Sequence, residues 1–165
     1  GVAKGTVYLY FKNKEEIIFA IWNMIVEQHM IAFEQRVASL QGAKEKIMSF
    51  FDFAQCCNIF DTQKILHLYQ HFVSAMLIDK TGLYTSYFES VFQKDYEFIA
   101  SCLQEGIDSG EFEPHDVHLL TNTMVFLIKG TLVRSKASNL VFVEAQALLT
   151  QQLSFLLDNY TRKIK

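Results

Sequence analysis

The chain opens with Gly1-Val2-Ala3-Lys4-Gly5-Thr6-Val7-Tyr8-Leu9-Tyr10-Phe11-Lys12-Asn13-Lys14-Glu15-Glu16-Ile17. This stretch has three lysines and no acid before Glu15, whereas the whole chain has a formal net charge of −3. A basic tip on an acidic body is typical of a protein that touches phosphate at one end only. Asn13, followed three residues later by Glu16, predicts a helix N-cap with its capping-box partner.

These opening residues resemble the second half of the helix-turn-helix of TetR-family transcriptional regulators. The shared pattern is a turn glycine, an apolar and a basic residue, Gly-Thr, an apolar-Tyr-x-Tyr-Phe run and a Lys-Glu-Glu cap. The resemblance implies a recognition helix at about residues 3–10, which would enter the major groove of an operator. The residues that it assigns to DNA contact are Lys4, Gly5, Thr6, Tyr8, Tyr10 and Lys14.

The stretch begins at the turn of this motif. In the family, a first helix and the first half of the helix-turn-helix precede that turn and support the recognition helix. A helix of about two turns is not stable alone. We therefore expect these 165 residues by themselves to bind an operator weakly or not at all.

Beyond Asn13, apolar residues recur at helical spacing and predict an all-α bundle of about six helices. A single proline and seven glycines leave too few turn residues for a β-sandwich. The predicted helices cover residues 15–40, 43–59, 61–78, 84–109, 115–135 and 142–160, with a loop at 136–140. We interpret residues 1–40 as the remainder of a DNA-binding helix-turn-helix with a linking helix. Residues 41–165 would form a ligand-binding and dimerisation domain.

The aromatic content predicts a lipophilic pocket, because half of the residues are hydrophobic and fifteen are phenylalanine. The resemblance implies that a small molecule binds among the middle helices and shifts the linking helix, which changes the population of DNA-competent states. Apolar spacing with isolated polar groups selects these lining candidates: Phe53, Cys56, Cys57, His67, His71, Phe92, Tyr96, Ile99, Asn122 and Phe126. A fatty-acyl compound, an aromatic compound or a hydrophobic drug would each fit.

The last two helices are the predicted dimer interface, because each is apolar around much of its circumference and needs two burial partners. The resemblance implies that they meet their symmetry mates as a four-helix bundle, which would also place two recognition helices on a palindromic operator. The predicted interface residues are Met124, Ile128, Leu132, Leu148, Leu149, Gln152 and Phe155.

Other functional classes receive little support from the sequence. We find no nucleophile elbow, no phosphate-binding glycine loop and no clustered carboxylates, and expect neither enzyme activity nor a cofactor. His67 and His71 have metal-ligand spacing but lack a third ligand nearby. No apolar run approaches the roughly 20 residues that span a membrane. Three cysteines without metal spacing predict reduced thiols in a cytoplasm.

The sequence therefore predicts a cytoplasmic homodimeric repressor that a lipophilic effector releases from DNA. The alternative is a helical protein-interaction module without DNA binding, for which we would expect a monomer with no ligand cavity. The identity of the effector, the operator and the direction of the response stay open at this stage.

Overall fold

The fold is an all-α bundle, as the sequence predicts. It is seen in a computed structural model that describes residues 9–51, 62–137 and 142–162. Within these residues lie six helices: α1 (Lys14–Val37), α2 (Ala43–Phe50), α3 (Thr62–Leu77), α4 (Leu83–Ser109), α5 (Val117–Ala137) and α6 (Phe142–Tyr160).

The predicted cap at the start of α1 is present. The Asn13 side-chain oxygen accepts the backbone N–H of Glu16 at 2.9 Å. The Glu16 carboxylate accepts the backbone N–H of Lys12 at 2.7 Å, one residue earlier than in a standard capping box. Helix α1 is therefore fixed at its first turn, next to the basic tip.

Several helix boundaries differ from the prediction, and one of them is the end of α1, which lies at Val37 instead of residue 40. Helix α2 ends at Phe50 instead of continuing towards residue 59, and residues 52–61 lie outside the described part of the chain. Helix α5 begins at Val117 because the Asp116 side chain accepts the N–H of Leu119 at 2.9 Å. It continues through Lys136, so the start of the predicted loop is helical.

Two hydrophobic clusters hold the helices together. The main cluster joins the second half of α1 to α2, α4, α5 and α6, and its buried members include Phe33, Ile47, Ile99, Met124 and Leu153. An aromatic cluster joins the first half of α1 to α3 and to the first half of α4, through Ile18, Phe72, Tyr84, Phe88 and Phe92. Helices α1 and α4 thus run through both clusters and connect the two ends of the bundle.

The joint between α4 and α5 is closely packed. Helix α4 ends at Gly110, which has a left-handed φ of 80°. Phe112 is buried against Gly106, where a Cβ atom would lie 2.2 Å from the phenyl ring. The Glu111 carboxylate accepts the N–H groups of Ala43 at 2.5 Å and Lys44 at 3.0 Å, and so caps α2. One short loop therefore orients three helices.

Helix α1 is unusually apolar around its circumference. Its mean hydropathy reaches 1.2 over 18 residues, so by length and composition it could cross a membrane. A single helix of this kind is weak evidence, because a core helix of a soluble protein has the same composition. The prediction that the chain has no membrane-spanning segment stays a prediction.

Candidate functional site

The structure describes two of the six residues of the basic tip that are predicted to contact DNA. Tyr10 lies in a turn with 79% of its surface exposed, and Lys14 is the exposed first residue of α1. Both side chains are available to a phosphate backbone. Lys4, Gly5, Thr6 and Tyr8 lie outside the described residues.

A polar contact joins the first turn of α1 to the body. The Tyr84 hydroxyl of α4 donates a hydrogen bond to the Glu15 carboxylate. His71 Nε2 of α3 is buried and lies 3.6 Å from the same carboxylate, too far for a hydrogen bond. Burial, reinforced by Glu15, raises the pKa of Tyr84 to about 12, so its hydroxyl remains a donor near neutral pH.

An open cleft of about 420 Å³ adjoins this contact. It is lined by Glu15, His71, Ser74, Ala75, Ile78, Asp79, Lys80, Thr81 and Tyr84. Of the predicted pocket residues, only His71 is among them. The cleft is therefore at the junction of α1, α3 and α4, not at the centre of the predicted pocket.

Edge-on and tilted rings reinforce the same junction. Phe19 of α1 packs edge-on against Phe72 of α3 with ring centroids 5.1 Å apart, and lies 4.9 Å from the ring of Tyr84. Trp22 lies 5.0 Å from Phe72. Because aromatic pairs of this geometry add to the energy of burial, α1 is held jointly by α3 and α4. A shift of α3 or α4 would therefore change the position of the first turns of α1.

The turn between α3 and α4 is also well fixed. The Asp79 carboxylate accepts the N–H groups of Thr81 at 2.9 Å, Gly82 at 3.0 Å and Thr85 at 2.9 Å. Hydrogen bonds from Thr85 and Thr81 hold the pKa of Asp79 well below its usual range. This carboxylate orders the start of α4, and with it the position of Tyr84.

The buried face of α4 contains a carboxyl group that the sequence analysis missed. Asp95 is half-buried, one turn after Phe92 and one turn before Ile99, and both of these neighbours are buried. Desolvation raises the pKa of Asp95 to about 7. The sequence does contain a signal for Asp95, which follows Phe92 by three residues and precedes Ile99 by four. That spacing predicts a buried position on α4, but only apolar residues were selected from it.

The predicted pocket residues separate into distinct environments. Phe92 is buried, and Tyr96 is half-buried with its hydroxyl hydrogen-bonded to His118 Nδ1 of α5. Ile99 is a member of the main core. The side chains of His67, Asn122 and Phe126 are exposed, and their assignment to a pocket stays a prediction. Phe53, Cys56 and Cys57 lie outside the described residues.

The residues of the predicted dimer interface differ in exposure. Met124, Ile128 and Leu149 are buried within the chain as parts of the main core. Leu148 and Gln152 are half-buried, and the side chain of Leu132 lies outside the described set. Phe155 is 69% exposed, as an interface residue should be.

The outward face of α5 and α6 carries large apolar side chains. Phe126 and Leu119 of α5 are 70% and 66% exposed, similar to Phe155 of α6. Sequence reasoning missed Leu119 and placed Phe126 in the pocket. We call this set, Leu119, Phe126 and Phe155, the outward apolar face.

Of the three cysteines, Cys102 lies among the residues that the structure describes. Cys102 is a buried free thiol, and burial raises its pKa to about 11, which makes it unreactive at neutral pH. Within the described ranges, no three histidine, cysteine or acidic side chains converge as they would around a metal ion.

Solved structures with a similar arrangement of helices include transcriptional regulators. A TetR-family transcriptional regulator from Cytophaga hutchinsonii superposes with a TM-score of 0.71 and 18% identity, covering 99% of this chain and 80% of that protein. A TetR transcription regulator from Haloarcula marismortui gives a TM-score of 0.75 and 14% identity, covering 97% and 81%. This is the TetR-family fold.

Sequence comparison finds a curated relative over a shorter range. The chain is 43% identical over 47 residues to the fatty acid metabolism regulator protein of Bacillus subtilis (strain 168). That match covers 28% of this chain and 24% of the relative. No family model matches the chain. In this chain the outward apolar face lies on α5 and α6, and the basic tip lies at the opposite end of the sequence.

Proposed function

We propose that the chain is the effector-binding and dimer-forming body of a cytoplasmic transcriptional regulator. In the intact protein, a homodimer would bind a palindromic operator, and a lipophilic small molecule would release it. Three features support this proposal: the helix-turn-helix resemblance at the N-terminus, the TetR fold, and the similarity to a protein named for fatty acid metabolism.

The outward apolar face is the observation that carries the dimer. Phe126 and Phe155 lie on the last two helices with about 70% of each side chain in contact with solvent. Burying a large apolar side chain contributes roughly 1.5–3 kcal/mol relative to leaving it exposed. A two-fold axis beside α5 and α6 would bury these side chains in both protomers at once.

The response to an effector would pass through α4. A ligand near Phe92 and Tyr96 contacts the helix whose first turn holds Glu15 through Tyr84. Displacement of α4 would weaken that contact and change the orientation of α1 relative to the body. The two recognition helices would then lose the spacing that a palindromic site requires.

Light scattering coupled to size-exclusion chromatography tests the dimer directly. We expect a dimer for the chain, and a monomer for Phe126→Asp and Phe155→Asp, because each places a charge in an apolar interface. Leu77→Asp is a matched control, since Leu77 is equally exposed but lies at the end of α3. A monomeric parent chain would favour the alternative of a helical interaction module.

Operator selection tests the regulatory part of the proposal. The protein with its complete helix-turn-helix is incubated with random duplex DNA at physiological salt, because phosphate contacts make affinity strongly salt-dependent. We expect the recovered sequences to share a motif with dyad symmetry. Recovery of no common motif by a well-folded dimer would contradict the assignment as a DNA-binding regulator.

A further inference from the structure

The Glu15 carboxylate is a point at which two helices of the body can hold the first turn of α1. The Tyr84 hydroxyl of α4 donates a hydrogen bond to it. His71 Nε2 of α3 lies 3.6 Å from the same carboxylate oxygen, beyond hydrogen-bond distance. The two oxygens of a carboxylate have about four lone-pair sites, so Glu15 can accept from both side chains. A small movement of His71 would therefore add a second contact to α1.

The nitrogen of His71 that lies nearest to Glu15 is buried and has no hydrogen bond within the part of the chain that the structure describes. In a neutral imidazole this atom is either an unpaired donor or an unpaired acceptor. Buried groups of this kind normally have a partner, because leaving them without one costs free energy. A protonated imidazole donates from both nitrogens and is positively charged, so the Glu15 carboxylate would become its partner.

The charged side chains around His71 favour a positive charge on its ring. Glu15 of α1 and Asp79 of the turn between α3 and α4 are acids that line the adjoining cleft, and Lys80 of the same turn is a base. His67, one helical turn earlier on α3, is exposed. Opposite charges at 3.6 Å attract each other, although both side chains are partly exposed and water weakens the attraction.

Near neutral pH, His71 is the side chain of this cluster whose charge can change, because a histidine ordinarily titrates between about pH 5 and pH 8. Burial, reinforced by Glu15, raises the pKa of Tyr84 to about 12, so its hydroxyl keeps its proton in that range. Hydrogen bonds, chiefly from Thr85, hold the pKa of Asp79 well below its usual range, so its carboxylate stays ionised.

We propose that His71 is a proton-sensitive clasp for α1: when protonated, it forms an ion pair with the Glu15 carboxylate and joins Tyr84 in holding the first turn of α1 against α3 and α4. A proton can shift the position of a helix only if it binds more tightly in one position than in the other. Here it binds more tightly while α1 is attached, because detachment would take the carboxylate away from His71.

The clasp adds a second regulatory input beside the lipophilic effector of the proposed function. Helix α1 directly follows the basic tip, so acidification would oppose a displacement of that tip. By linkage, any ligand whose binding displaces α1 would bind more weakly at acid pH. The inference itself depends only on the contacts of α1 with α3 and α4.

Amide hydrogen exchange of residues 17–20 tests the clasp, because it reports how firmly the first turn of α1 is attached. Exchange is measured by NMR on the whole chain at about pH 5.5 and about pH 7.5, on either side of the ordinary histidine titration. Rates are expressed as protection factors, so that the intrinsic pH dependence of exchange cancels. We expect protection to be about threefold higher at the lower pH, the effect of a partly exposed ion pair.

Four variants assign the pH dependence to its residues. His71→Gln and Glu15→Gln should abolish it, since the first has no ring to titrate and the second has no charge, although its amide oxygen can still accept from Tyr84. His67→Gln is the matched control, because it removes an exposed histidine from the same helix, and it should behave as the parent. Tyr84→Phe should lower protection at both pH values and leave their ratio unchanged.

Equal protection of the parent at the two pH values would overturn the inference. So would a pH dependence that survives in His71→Gln or in Glu15→Gln, and so would its loss in His67→Gln. Loss in the first two variants together with retention in the third would establish the clasp. The dimer and the operator are tested by light scattering and operator selection, so failure of the clasp is distinguishable from failure of the proposed function.

Discussion

Replacing Asp95 by asparagine removes a titratable group from the buried face of α4 while keeping the size of the side chain. The folded protein holds the pKa of this group at about 7, against an ordinary value of 3.8. Between these two values the folded state therefore binds more protons than the unfolded state. The free energy of unfolding contributed by Asp95 falls as the pH rises from about 4 to 7, and the full penalty is present above 7.

The size of the penalty follows from the shift. A difference of about three pKa units corresponds to about 4 kcal/mol if the carboxyl is fully shielded from water. Asp95 is half-buried, and the water that reaches it reduces the effect. We expect Asp95→Asn to raise the free energy of unfolding by about 2 kcal/mol at pH 8 and by less than half of that at pH 5.

Urea denaturation at the two pH values measures this difference. Protein concentration is kept constant, because dimerisation makes apparent stability depend on it. Glu97→Gln, on the solvent side of the same helix, should change stability little at either pH. Equal effects of Asp95→Asn at pH 5 and pH 8 would show that the carboxyl is not desolvated.

Three further substitutions probe the joints of the bundle. Gly106→Ala should lower the free energy of unfolding by about 1–3 kcal/mol, because its Cβ would meet the Phe112 ring at 2.2 Å; thermal unfolding at wild-type values would contradict this packing. Glu111→Ala should cost about 0.5–2 kcal/mol in urea denaturation by removing the cap of α2. Tyr84→Phe should accelerate amide hydrogen exchange in the first turn of α1 by removing the hydrogen bond to Glu15, and unchanged exchange would show that the rings alone hold this turn.

The helix boundaries that the sequence predicted well are those with strong local signals. The bond from Asn13 to Glu16 fixes the start of α1, and Gly110 ends α4 in the left-handed conformation. Helix α6 covers Phe142–Tyr160, the range that its apolar stripe predicted. Caps and glycines act over three or four residues, so a single sequence contains the information that positions them.

The sequence does not determine which face is buried where a helix is apolar on more than one side. Both the buried Met124 and the exposed Phe126 belong to α5, and their spacing alone does not tell which one faces the interior. On α6, Leu149 is buried while Phe155 is exposed, and the two were predicted to share one interface. Only the packing of neighbouring helices determines the rotation of such a helix, and that information is not local.

Asp95 and Tyr84 lie eleven residues apart on α4, which corresponds to about three helical turns. A helix of this length moves as a unit when its core contacts change, because its backbone hydrogen bonds are all internal. A ligand that displaced α4 at Asp95 would therefore also displace the Tyr84 hydroxyl relative to Glu15 at the first turn of α1. A hydrogen bond is directional, so a shift of about 1 Å would break it. A single helix, α4, would therefore connect a ligand in the body to the first turn of α1, which directly follows the basic tip.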